Sequence, residues 1–101
     1  MKGRFIVLEG IDSEVLAEQA SLLESWLRKN VPRVELTHEP TDGPIGSQAR
    51  LVINGRLVAD PLTQAASFLT DRLDHLYRPQ GILEDLDKGT YIICMRYLLS
   101  A

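Results

Sequence analysis

RFIVLEGIDSEVLAEQ, residues Arg4 to Gln19, decides the fold. Phe5-Ile6-Val7-Leu8 is a short, continuous apolar run, the pattern of a strand covered on both faces. Glu9-Gly10 ends it, and a helical pattern follows. Asp12-Ser13 supplies a helix cap, and Glu14 falls in the first turn, where the helix dipole favours a negative charge. A strand that turns through glycine straight into a helix is where a phosphate-binding glycine loop sits in α/β folds. The pattern G-x-x-x-x-G-K-[ST] can be laid on the chain from Gly10. Its second glycine then falls on Val15, its lysine on Leu16 and its hydroxyl residue on Ala17. The position is that of a phosphate loop, but the residues are not.

Downstream of this junction, Leu16, Ala20, Leu23 and Leu27 recur at three- and four-residue steps, with Leu22 and Trp26 widening the stripe. That spacing predicts an amphipathic helix of about four turns, ending near Lys29-Asn30 before Pro32. Arg33 to Thr37 reads as a second, weaker strand, and His38 to Gly46 as a loop rich in Pro, Gly, Asp and Thr. Gln48 to Ile53 is a short helix that fades at Asn54-Gly55. Asp60-Pro61 starts another, with proline at the first helical position and Leu62, Ala65, Ala66, Leu69, Leu73 and Leu76 along it. It reaches Tyr77-Arg78, and Pro79 marks a break. Ile82, Leu83 and Leu86 give one more short helix that stops at Lys88-Gly89. Tyr91 to Cys94 is a third, fully apolar strand. Strands separated by helices predict parallel βαβ units and an α/β fold. Three strands make a small sheet in which an apolar edge is left without a neighbour.

The chain of 101 residues is the size of one small domain, residues 1–101. An apolar fraction of 45% and a charged fraction of 25% are ordinary for a globular protein. The formal net charge is −3 and no basic block stands out, which argues against a nucleic-acid surface. No apolar run approaches the length of a membrane span, and the N-terminus enters a strand with no signal-peptide core. Cys94 is the only cysteine, so no intrachain disulfide or cysteine metal cluster forms, and a reducing cytoplasm is the expected location.

Five blocks carry a family resemblance: FIVLEGID (5–12), QASLLESWL (19–27), THEPTDGPIG (37–46), LTQAASFLTDRLDH (62–75) and GTYIICMRY (89–97). In order and spacing they resemble thymidylate kinase: its first strand, the helix after its P-loop, its T-R-E-P-x-x-x-P-I-G loop in an archaeal-like form, its F-x-x-D-R helix and its third strand ending D-R-Y. They span the whole chain and cover the first half of a typical member. The resemblance implies a three-layer P-loop kinase-like fold, here a truncated parallel sheet of about three strands flanked by helices.

The resemblance also implies a site. Phe68 would stack on the thymine ring and Arg72 hydrogen-bond it, a suitable pairing for a flat base. Arg96 would grip the nucleotide phosphate, and Asp12 would lie near sugar and phosphate. His38 stands where T-R-E-P has arginine, and neutral imidazole is a poor substitute for a guanidinium. Met95 replaces the aspartate of D-R-Y and can neither coordinate a hard cation nor take a proton. Of the glycine loop only Gly10 remains, because Ser13 to Glu18 replace the glycine-, lysine- and hydroxyl-bearing run. Two carboxylates, Glu14 and Glu18, stand where phosphate oxygens would lie, and phosphoryl transfer is mostly positioning and charge neutralisation. By resemblance the cofactors are ATP and Mg²⁺, the substrate is dTMP and the protein is a homodimer, since the family dimerises through helices flanking this sheet. The substitutions predict that phosphoryl transfer is lost while dTMP binding survives. A scaffold or interaction module built on the old fold is the alternative, and an active dTMP kinase with an atypical phosphate site is the second. By residue chemistry alone, Ser13 to Glu18 are a capped helix start, Phe68 a core aromatic and Arg72 a solvated arginine. On the same reading His38 and His75 are surface or loop histidines, Asp71 and Asp74 pair with arginines or face solvent, and Cys94 is a buried thiol.

Overall fold

In a computed structural model that describes residues 2–55 and 59–97, the elements run β1 (Phe5–Gly10), α1 (Ser13–Arg28), β2 (Val34–Glu39), α2 (Pro44–Ile53), α3 (Pro61–Tyr77), α4 (Ile82–Asp87) and β3 (Tyr91–Tyr97). The three strands form one parallel sheet in the order β1-β3-β2. The fold is therefore α/β, with helices flanking a short parallel sheet. No helix among the described residues is long and apolar enough to cross a membrane.

Register assigns the two faces of the sheet. Ile6 pairs with Ile93 and Leu36 with Ile93, while Val7 and Thr37 pair with Cys94. Side chains alternate along a strand, so Ile6, Leu8, Val34, Tyr91, Ile93 and Met95 share one face. That face packs on α1 through Leu16, Ala20, Leu23 and Leu27 and forms the main core. The other face carries Glu35, Thr37 and Glu39 beside Ile92, Cys94 and Arg96. It meets α3 through His75, which hydrogen-bonds both Thr37 and Glu39.

The α1 start follows from its cap. The Asp12 side chain accepts from the backbone N–H of Glu14 and Val15, at 3.0 and 3.2 Å, and so satisfies two amides that helix geometry leaves without partners. Asp60 caps α3 the same way through Thr63 N–H, with Pro61 next.

Several expectations are corrected. β1 is not covered on both faces: it is an edge strand, and Phe5 to Leu8 are only half-buried. β2 extends through His38 and Glu39, so these two residues are strand rather than loop, because β3 continues to Tyr97 and offers them partners. α2 begins at Pro44, four residues before Gln48, since proline at the first turn loses no helical hydrogen bond. Leu22 and Trp26 do not widen the core stripe of α1 but are 63% and 61% exposed. In α3 the apolar stripe points outward: Leu62, Leu69, Leu73 and Tyr77 are exposed, and the buried residues are Asp71 and His75.

Candidate functional site

Glu39 is the hub of the carboxyl edge of the sheet. It closes β2 opposite Arg96 of β3 and is 7% exposed. Its Oε1 accepts from Arg72 Nε–H at 3.2 Å and from Arg96 Nε–H at 3.1 Å. Its Oε2 lies 3.0 Å from His75 Nδ1. A carboxylate only accepts, so His75 donates there through Nδ1, while Nε2 meets the Thr37 hydroxyl at 3.0 Å. Burial alone pushes the Glu39 carboxyl up. Hydrogen bonds from His75 and Arg72 and the charges of Arg96 and Arg72 outweigh burial, and the net shift is downward.

The two arginines are thus held on one acceptor although they stand on different elements. Anchored at Nε, each guanidinium keeps Nη donors for a further acceptor. The Arg72 side chain is 45% exposed and that of Arg96 is 21% exposed. Arg96 Nη1 also lies 3.6 Å from Glu9, a half-exposed carboxylate at the end of β1. Phe68 is half-buried and precedes Arg72 by four residues on α3, so the two side chains share a helix face.

A second junction fixes the loop after β2. Asp71 accepts from Thr41 N–H at 2.9 Å and from the Thr41 hydroxyl at 2.7 Å. Gly46 passes so close to the Thr41 carbonyl that a Cβ there would overlap it. The Glu39–Pro40 bond in this loop is cis.

Arg72 and Arg96 are brought together, with Phe68 one turn away. His38 is not brought to them: its neighbour Glu39 faces the arginines, while His38 pairs with Met95 and turns to its own loop. There its Nδ1 donates to the Pro40 carbonyl at 2.8 Å, and Nε2 lies 3.1 Å from Asp42. Asp12 and Gly10 stand at the β1–α1 junction, where Asp12 is committed to the helix amides. A Cβ at Gly10 would make only ordinary contact with Leu16, and its backbone is not left-handed, so neither space nor conformation demands glycine there.

Two bland readings are overturned. His75 is buried, 3% exposed, and Asp71 is 1% exposed; neither is a surface residue, because each is paired across the fold. Asp74 does pair with an arginine, Arg78 Nη1 at 3.6 Å. Cys94 is free and buried, as expected, and burial together with the Glu39 charge pushes its thiol up to about 12. The sequence reading missed Glu39, His75, Thr41 and Asp71 as site builders. The spacing of Asp71, Arg72 and His75 was the available signal, since i+3 and i+4 neighbours share a helix face.

Glu39, His75 and Cys94 place ligand-type atoms within 4.8 Å of one another. They make a poor cation site, because Glu39 is already matched by two guanidiniums. Magnesium and ATP do not fit the β1–α1 junction either. Its first amides are taken by Asp12, Glu14 is exposed beside them, and Met95 is packed into the apolar core.

A family model described as "Thymidylate kinase" matches residues 8–101, a span that includes every residue named above from Glu9 on. The chain belongs to the thymidylate kinase family. A probable thymidylate kinase from Pyrococcus horikoshii is 39% identical over 106 residues, covering all of this chain and 51% of that protein. A thymidylate kinase from Caldicellulosiruptor saccharolyticus is 32% identical, covering all of this chain and 48% of its own length. Among solved structures, thymidylate kinase from Ehrlichia chaffeensis superposes with a TM-score of 0.76 at 27% identity, over 96% of this chain and 55% of that one. The chain thus spans about half the length of the curated family members it matches.

Proposed function

We propose that this chain binds a thymidine monophosphate and does not transfer phosphate to it from ATP. The observation that carries the reading is the pair Arg72 and Arg96, converging on buried Glu39 at the carboxyl edge of the sheet, where open α/β sheets take ligands. In this reading Phe68 stacks on the base, Arg72 hydrogen-bonds it, and Arg96 takes the phosphate by exchanging Glu9 for the incoming anion. Asp12 stays a helix cap and His38 a loop anchor, so both leave the substrate set that the resemblance implies. Loss of transfer rests on the β1–α1 junction, where a carboxylate holds the amides that would face phosphate oxygens. Such a protein acts in the cytoplasm as a nucleotide-binding member of a transferase family, a pseudoenzyme with a degenerate P-loop.

The outward stripe of α3, with Leu62, Leu69, Leu73 and Tyr77, supports homodimer formation, since an exposed apolar stripe of this spacing fits a second helix. Sedimentation of the protein and of Leu69→Asp tests that point. For the nucleotide, dTMP raises the melting temperature and MgATP does not. A dTMP shift that survives Phe68→Ala combined with Arg72→Ala would sink the pocket assignment. The absence of any nucleotide shift would favour a scaffold role, and Mg²⁺-dependent formation of dTDP would establish the active kinase instead.

A further inference from the structure

Glu35 and Asp85 meet across a small cavity. Glu35 stands near the start of β2, an edge strand, and Asp85 stands on α4. Both line a space of about 100 Å³, together with Thr37, His75, Arg78 and Ile82. Their side chains are in hydrogen-bond contact. An ionised carboxylate has no donor, so two carboxyl groups bond to each other only when one of them carries a proton. The contact is therefore made by a single shared proton, and a pair of this kind titrates as a unit.

The surroundings offer that proton no substitute. From α3, His75 is committed to Thr37 and Glu39, at 3.0 Å each, and Arg78 lies 3.6 Å from Asp74. On α4, Glu84 accepts from the Gln80 N–H, and Lys88 just beyond the helix lies 3.6 Å from Glu84. β3 contributes Ile92, which carries no charge. Arg33, two residues before Glu35, is exposed. The bond to Asp85, burial and the Asp85 charge all favour protonated Glu35, and the His75 charge opposes them.

α4 is lightly held. It is six residues long, with Ile82 as its buried side chain and no side-chain cap at Gly81. Gln80, in the link from α3, has a φ of 60°, a left-handed conformation that strains any residue with a Cβ. Two backbone bonds tie the end of α4 to other segments: Thr90 N–H to the Asp85 carbonyl at 3.0 Å and Gly3 N–H to the Leu86 carbonyl at 2.9 Å.

We propose that Glu35 and Asp85 form a proton-operated clasp between β2 and α4. In acid solution one proton held between them ties α4 to the edge of the sheet. At higher pH that proton passes to solvent, two carboxylates face each other, and α4 lifts from β2 and opens the cavity beside His75. The sign follows from Glu35, whose folded carboxyl lies above its ordinary 4.5: the bond contributes fully below that value and is lost as pH rises through the folded one. The clasp does not depend on nucleotide binding, because Arg72, Arg96 and Glu39 take no part in the shared bond.

Amide exchange of the full chain, corrected for intrinsic rates and followed from pH 4 to pH 8, tests the clasp. The expected result is a loss of protection of at least about fivefold at Thr90 and Gly3 as pH rises, while Ile93 in the sheet centre is unchanged. Glu35→Gln and Asp85→Asn each supply a donor that needs no shared proton, so in both the step disappears and protection stays at its acid level. Asp87→Asn, at an α4 acid whose side chain is 76% exposed and pairs with Lys2, keeps the step. Carboxyl carbon shifts give a second readout, in which Glu35 and Asp85 titrate as a coupled pair with the upper midpoint above 4.5. Flat protection at Thr90 in the parent, a step that persists in both clasp variants, a step that Asp87→Asn also removes, or parallel loss at Ile93 would overturn the proposal. So would two independent carboxyl midpoints at ordinary values.

Discussion

Replacing Glu39 by glutamine removes one negative charge and turns one acceptor oxygen into a donor, in a place where three donors converge. The Arg96 bond is well sheltered, and a hydrogen bond to a charged group of that kind contributes about 1.5–3 kcal/mol. The Arg72 side chain is 45% exposed, so water screens its pair and its share is discounted to about 1 kcal/mol or less. The His75 bond adds about 1 kcal/mol. Glutamine keeps one acceptor, so the loss is less than the sum, about 3 kcal/mol. For a domain of this size that lowers the melting temperature by roughly 12–24 °C. The pH dependence has a definite sign. The folded Glu39 carboxyl lies below its ordinary 4.5, so its stabilisation is present above that value and is lost as pH falls through the folded pKa. Thermal melts of Glu39→Gln and the parent should therefore differ by a constant amount from pH 8 to pH 5 and converge in more acid solution. A gap under about 4 °C at pH 7, or one that widens on acidification, would refute the view that Glu39 organises the arginines.

Other outcomes follow from neighbouring groups. Glu9→Gln frees Arg96 from a partly exposed partner and should tighten dTMP binding by up to about fivefold, read by calorimetry. A hydrogen bond to Asp85, burial and the Asp85 charge all raise the Glu35 carboxyl. A raised acid is stabilising below its unfolded pKa and loses that contribution as pH rises through the folded value, so Glu35→Gln should melt higher than the parent at pH 8 and equally near pH 4. Gly46→Ala drives a Cβ into the Thr41 carbonyl and should cost about 1–3 kcal/mol by denaturant titration, because backbone must move. His75→Ala leaves Glu39 without one donor and should weaken dTMP binding as well as stability, measured side by side.

The sequence made the elements readable where local chemistry governs them. Asp12 and Asp60 announce their helices, because a capping carboxylate needs only the next turn to act on. The same locality misled at His38 and Glu39: the run of Pro, Gly and Asp after them reads as loop, yet β3 extends far enough to pair both. The leucines of α3 made the helix readable by their spacing but not which of its faces packs, and the buried face holds Asp71 and His75. Those two were misread because their partners, Thr41 and Glu39, lie 30 and 36 residues away, and the spacing of Asp71, Arg72 and His75 shows a shared helix face without showing what that face meets. Phe68, Arg72 and Arg96 came from family blocks, and the convergence of the two arginines on one carboxylate became visible only in three dimensions.

Calorimetric titration of one protein sample with dTMP and then with MgATP, followed by assay for dTDP, tests the central claim most directly. Saturable dTMP binding that is lost in Arg96→Ala, no heat from MgATP and no dTDP are the predicted results. MgATP binding accompanied by dTDP formation would contradict the account.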